Sequence, residues 1–197
     1  MKTAVKKIVL LILLLYSAAA DAQTAWIDSV KKTAAIQKPD TNKVITLNSI
    51  SDFYAFTEPD SALVYAQQAL SLSEKLNYDK GKFWAIVCTN KALYFLGNYT
   101  LQLSFAFKAY PLGQKLNDTH ALGWSMGMLG DCSFNLGDYS TALKYYRQIK
   151  QLAEQNSIID LYSIYSGLVP VLTSFTNTTL LYSMQKKAMP YNPGMLC

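Results

Sequence analysis

A repeat of 40 residues constrains this chain more than any single residue in it. Gly97-Asn98-Tyr99 returns as Gly137-Asp138-Tyr139, and Leu63, Leu103 and Leu143 keep the same interval, as do Leu72, Leu112 and Leu152. Tyr54, Tyr94 and Phe134 share one aromatic position, and Leu76-Asn77 recurs as Leu116-Asn117. Self-similarity at a period of roughly 20 to 50 residues marks a solenoid, whose units cannot bury their apolar faces alone and do so on their neighbours. Such an array makes surfaces for binding and needs no reactive centre.

Each unit reads as two helices joined by a tight turn. In the third, Ala121 to Asn135 carries Met126, Leu129 and Cys132 at three-residue steps, Gly137-Asp138 stops it, and Ser140 to Ala153 returns with Ala142, Leu143, Tyr146 and Ile149 on one face. The second runs Gly81 to Phe95, stops at Gly97-Asn98, and returns through Thr100 to Lys115, with Pro111 expected to bend the return helix. The first runs Asp40 to Phe56 and turns at Thr57 to Pro59, with Asp60 expected to cap a return helix that ends at Leu76. A short amphipathic helix, Ala25 to Ile36, precedes them. A degenerate fourth unit, Ile158 to Met189, follows, and residues 190–197 form a tail.

The first 22 residues stand apart. Lys2, Lys6 and Lys7 precede the apolar run Ile8 to Tyr16, and Ala20-Asp21-Ala22 forms a small-residue cleavage site, so residues 1–22 read as a secretory signal peptide and imply an exported chain, in the periplasm or cell envelope. That run is well short of the roughly 20 apolar residues a membrane span requires. Removal of the leader takes the chain from 18 basic and 13 acidic residues to 15 and 12, a net charge of +3. This is not the clustered basic face of a nucleic-acid binder.

Little in the sequence carries chemistry. Cys88 and Cys132 lie among apolar helical residues and read as small buried hydrophobes, and Cys197 is terminal. No metal-type spacing occurs. His120 is the single histidine, placed in an inter-unit loop without the partners that a triad or zinc site would supply. Asp138 belongs to a turn, where Asp serves the local backbone. No catalytic residue, cofactor or metal ligand is expected.

The third unit, with Met126, Leu129-Gly130, Gly137-Asp138-Tyr139, Ala142 and Tyr146, resembles a tetratricopeptide repeat. The second unit departs from that pattern, with Asn90 where Gly is expected and Gln102 where Ala is; the first has Thr57 in place of the turn glycine. The resemblance implies an all-α, right-handed superhelical solenoid of antiparallel helix pairs, three to four repeats over residues 40–189. The period exceeds the usual value of about 34 by about six residues, which should lengthen the helices around Lys75 to Lys82 and Lys115 to Ala121. Behind a signal peptide, this longer unit is similar to the exported repeat regions of Bacteroidota sensor histidine kinases and related regulators. No kinase domain or second hydrophobic span accompanies it here, so that kinship implies a free-standing or truncated sensory module.

In tetratricopeptide arrays the first helix of each unit lines a concave groove that binds protein or peptide. By register, Val44, Leu47, Ser51 and Tyr54 fall there in the first unit, Trp84, Val87, Lys91, Tyr94 and Phe95 in the second, and Trp124, Asp131, Phe134 and Asn135 in the third. Trp84 and Trp124 share one position, either as exposed anchors or as inter-repeat packing. Leu47, Val87 and Gly127 stand where a carboxylate-clamping array would place its leading Lys, which favours an extended, partly apolar peptide as ligand. The fourth unit lacks a polar capping helix, which gives a motive for self-association.

Overall fold

The computed structural model describes residues 25–156, and each regular element among them is an α-helix. In order these are α1 (25–36), α2 (Thr41–Tyr54), α3 (Pro59–Lys75), α4 (Asp79–Phe95), α5 (Tyr99–Lys115), α6 (Thr119–Asn135) and α7 (Tyr139–Asn156). Sequential helices pack as antiparallel neighbours, and the chain is an all-helical repeat solenoid. The leader, the fourth unit, the tail and Cys197 lie outside the described residues.

The 40-residue repeat resolves into a 20-residue step taken twice. From α3 onward the helices begin at residues 59, 79, 99, 119 and 139, and α3 to α6 each hold 17 residues. The residues beyond a standard unit are therefore taken up as helix. Each of these helices stops at a left-handed residue: Asn77 (φ 51°), Gly97 (69°), Asn117 (50°) and Gly137 (82°). Gly has no Cβ to clash there, and Asn tolerates the conformation better than most residues. At three of the four stops the next amide donates back across the last turn, Tyr78 to the Ser73 carbonyl (2.9 Å), Asn98 to Leu93 (3.0 Å) and Asp138 to Ser133 (2.8 Å). These bonds satisfy carbonyls that a helix end otherwise leaves unpaired.

Helix starts are fixed by caps. Asp40 accepts from the Asn42 and Lys43 amides, Asn98 from Leu101, Asp118 from His120 and Ala121, and Asp138 from Thr141. Asp60 does not cap α3 as its sequence position suggested. Glu58 holds that position without bonding a backbone amide, its carboxylate accepting from the Ser61 hydroxyl instead, and Pro59 opens the helix, its fixed φ being suited to the first turn. Asp60 instead lies in the first turn, where a carboxylate complements the helix dipole. α2 ends at Tyr54, two residues before the expected Phe56, because residues 55–57 already form the turn. α5 runs unbroken through Pro111.

Small residues set the spacing of the layers. The fully buried stripe of α3 is Ala62, Ala66, Ala69 and Ser73, and that of α5 is Gln102, Ala106, Ala109 and Gly113. A Cβ at Gly113 would lie 3.0 Å from the Ala121 carbonyl oxygen, which shows how closely α5 approaches α6. α1 closes the first unit by burying Ile27 and Ala34 on α2, with Val30 against the same cluster. Three successive apolar clusters then run along the array, one per hairpin.

Candidate functional site

The backbones of the first helices approach one another closely, α2 with α4 and α4 with α6, whereas those of the return helices α3, α5 and α7 do not. Helices that keep contact line the inside of a curved array, and those that splay lie outside. The inner face is thus built from α2, α4 and α6.

Along α4 this face presents Trp84, Lys91, Tyr94 and Phe95 at helical spacing, and along α6 Trp124, Asp131, Phe134 and Asn135. Trp84 and Trp124 meet edge to face across the two helices, centroids 6.2 Å apart. Trp84 is half-buried and also packs on Phe83, while Trp124 keeps 37% of its surface open. The pair is both inter-repeat packing and exposed aromatic surface. Lys91 reaches back to Asp52 of α2 (2.7 Å), an exposed ion pair. Tyr94 packs edge-on against Phe95 and tilts over Tyr99, and Phe95 meets Phe56 of the first turn at 5.2 Å. The Phe134–Tyr139 contact repeats Tyr94–Tyr99 one unit later. Asn135 is half-buried at the end of α6.

Several assigned positions do not open onto the groove. Val44, Leu47, Ser51 and Val87 are buried among the helices, and Ser51 donates to the Ala62 carbonyl at 2.8 Å. Tyr54 is 7% exposed, stacked on Tyr65 and covered by the Lys31 ammonium of α1 at 4.7 Å from its ring centroid. Its register with Tyr94 and Phe134 is kept; its surroundings differ because Lys31 of α1 and Tyr65 of α3 cover its ring. The accessible aromatic surface of the inner face therefore comes from the second and third units, joined by Phe56 of the first turn.

Asp131 is half-buried on this face and accepts from the Tyr146 hydroxyl at 3.0 Å. Burial pushes its carboxyl up to about 6, against the opposing pull of the Tyr146 bond. Cys88 and Cys132 are free and buried, and burial raises both thiols to about 12, so neither is nucleophilic at neutral pH. His120 lies half-buried in the first turn of α6, its backbone amide bonded to Asp118. Among the described residues no three His, Cys, Asp or Glu side chains gather as metal ligands, and no helix is long and apolar enough to cross a membrane.

Sequence reasoning missed Asp52 and Phe56. Both sit at positions whose repeat equivalents, Ala92 and Leu96, carry no matching signal. It noted Asn90 and Gln102 as separate departures from a repeat pattern; in the structure they are one another's partners.

No sequence family matches the chain, and no curated protein does. Its fold matches solved structures, among them the crystal structure of a Rap protein complexed with competence and sporulation factor, at a TM-score of 0.69 and 15% identity. The match covers 88% of this chain and 50% of that one, so the chain spans about half the length of the protein it resembles. The likeness is one of fold: this is a helical-repeat protein.

Proposed function

We propose that the protein is a non-enzymatic scaffold that binds an extended, partly apolar peptide or protein segment along the inner face of α4 and α6. The observation that carries this reading is the aromatic strip formed by the Trp84–Trp124 contact at one end and the Tyr94–Phe95–Phe56 group at the other. Exposed Trp and Tyr are the residues that most often anchor interfaces, since they bury large area at small entropic cost. The ionic groups between the two ends are already engaged, Lys91 with Asp52 and Asp131 with Tyr146, so recognition rests on apolar contact rather than on a ligand charge. That the structurally similar Rap protein was crystallised with competence and sporulation factor supports a ligand-binding role for such an array. Reading residues 1–22 as a cleaved leader supports an exported setting for this activity, and N-terminal sequencing of the mature protein should then begin at Gln23.

Selection of a random peptide library on the purified protein tests the groove. The expected outcome is a consensus rich in aromatic and aliphatic side chains whose binding falls at least tenfold (roughly 1.4 kcal/mol) in the Trp84→Ala, Trp124→Ala double variant. Peptides that bind wild type and double variant equally would place the site elsewhere.

A further inference from the structure

The outer side of the solenoid carries a second candidate site. Because the backbones of α3 and α5 do not approach closely, a cleft of about 660 Å³ opens between them with Ile86 of α4 at its base. Leu70, Phe105 and Leu112 form its apolar walls, and Lys82, Lys108 and Lys115 line its rim.

The repeat itself supplies the control. One unit later the wedge between α5 and α7 has Tyr110 in place of Leu70 and Tyr145 in place of Phe105, and the two Tyr rings meet there, centroids 6.5 Å apart. In that same wedge the three lysine positions become Leu122, Gln148 and Gln155. One unit earlier, the positions of Lys82 and Lys108 are Asn42 and Gln68. That earlier wedge is a smaller opening, of about 470 Å³, and keeps Lys75 at the position of Lys115 with Lys43 beside it. The solenoid fold therefore requires neither the full opening nor all three lysines; among the described wedges this one is the larger and carries lysine at all three positions.

We propose that the cleft between α3 and α5 docks a short acidic, apolar peptide segment of a partner protein. Charge selects the sign. The three lysines face one lining carboxylate, Glu74, at 3.7 Å from Lys82, and Asp79 beside Lys115, while Lys108 lies over the Phe105 ring, leaving an excess of positive charge. Exposed pairs of this kind are worth little and are readily exchanged for a partner's carboxylates. Shape selects the class. Small-molecule sites enclose most of their ligand, whereas this cleft stays open along its outer side, as suits a segment that brings its own cover. Leu side chains of such a segment would fill the space that Tyr110 and Tyr145 fill one unit later.

Fluorescence anisotropy with two labelled synthetic peptides, one of Leu and Glu in amphipathic helical order and one with Lys for each Glu, tests the assignment on the full chain. The Glu peptide should bind and the Lys peptide should not. Leu70→Tyr, which copies the filled wedge, and Lys108→Gln with Lys115→Gln, which copies its glutamines, should each weaken binding about fivefold or more. Trp84→Ala with Trp124→Ala should leave it unchanged, which separates this cleft from the inner groove. Absence of Glu-peptide binding, equal binding of both peptides, or wild-type affinity in the double glutamine variant would overturn the proposal. The glutamine changes lie on the exposed rim, so they decide the matter even if Leu70→Tyr fails to fold.

Discussion

Asn90 of α4 and Gln102 of α5 are bonded to each other in the buried interior of the second hairpin. The Asn90 amide nitrogen donates to the Gln102 backbone carbonyl at 2.9 Å, and the Gln102 amide nitrogen donates to Asn90 Oδ1 at 3.1 Å. Both are buried, at 4% and 2% exposure. The equivalent residues of the third unit are Gly130 and Ala142, and there the Tyr146 ring occupies the space beside Gly130. Two departures from a repeat pattern are thus one compensated exchange: a polar pair stands where the third unit packs a Tyr ring on a glycine.

That pairing predicts non-additive stability. Asn90→Ala or Gln102→Ala alone strands a buried amide and should cost about 1–3 kcal/mol. The double variant should be less destabilised than the sum by about 1 kcal/mol or more. Urea unfolding of the four chains measures this coupling, and strict additivity would contradict the bonding described. Gln102 Oε1 finds no protein partner among the described residues, so the pair specifies the fit of α4 on α5 more than it stabilises it.

The left-handed stops predict a contrast between turns. Gly137→Ala has open space around its Cβ but must hold φ near 82°, and should cost about 1 kcal/mol. Asn117→Gly, at φ 50°, removes the same strain and should be neutral or slightly stabilising. Gly130→Ala is different in kind. Its Cβ would stand 2.5 Å from the Tyr146 ring, so the loss should reach about 1–3 kcal/mol by overpacking. Thermal unfolding of the three variants separates conformational strain from steric clash.

Asp131 predicts a pH dependence of definite sign. Its carboxyl titrates at about 6 in the folded chain, raised chiefly by burial, against 3.8 for the unreached group. Between these values the folded state binds more proton than the unfolded state, so its contribution is fully present below pH 3.8 and is lost as pH rises through about 6. Asp131→Asn keeps the acceptor for Tyr146 and removes the ionisation. Relative to wild type it should gain about 1–3 kcal/mol between pH 4 and 7. A stability difference that stays flat over that range would mean the carboxyl is solvated.

Burial of the two core thiols predicts inertness. With both raised to about 12, Cys88 and Cys132 should remain unmodified by iodoacetamide in the native chain at pH 8 and alkylate fully in urea. Peptide mass mapping reads each site separately. Native alkylation of Cys132 would show that α4 and α6 part readily, since it sits against Asn90 at their junction.

The repeat step was legible because periodicity is a property of the chain itself. Turn residues at 97, 117 and 137 recur for a backbone reason, and apolar spacing follows from helical geometry. The start of α3 was misplaced by the favoured capping type of Asp60, whereas the ring of Pro59 decides it. Register likewise put Trp84 and Trp124 on one face, where they meet.

By itself the sequence determined the kind of object, helical hairpins in series with an aromatic column on the leading helix of each. Tertiary structure decided which of those aromatics meet solvent. Tyr54, Tyr94 and Phe134 are equivalent in register, yet Tyr54 is buried under Lys31 of α1 and Tyr65 of α3, the first a contact from a segment outside the repeats. The same holds for the lysine-rimmed cleft, open at Leu70 and filled at Tyr110. Periodicity records what every unit must do to stack; exposure depends on what each unit happens to stack against.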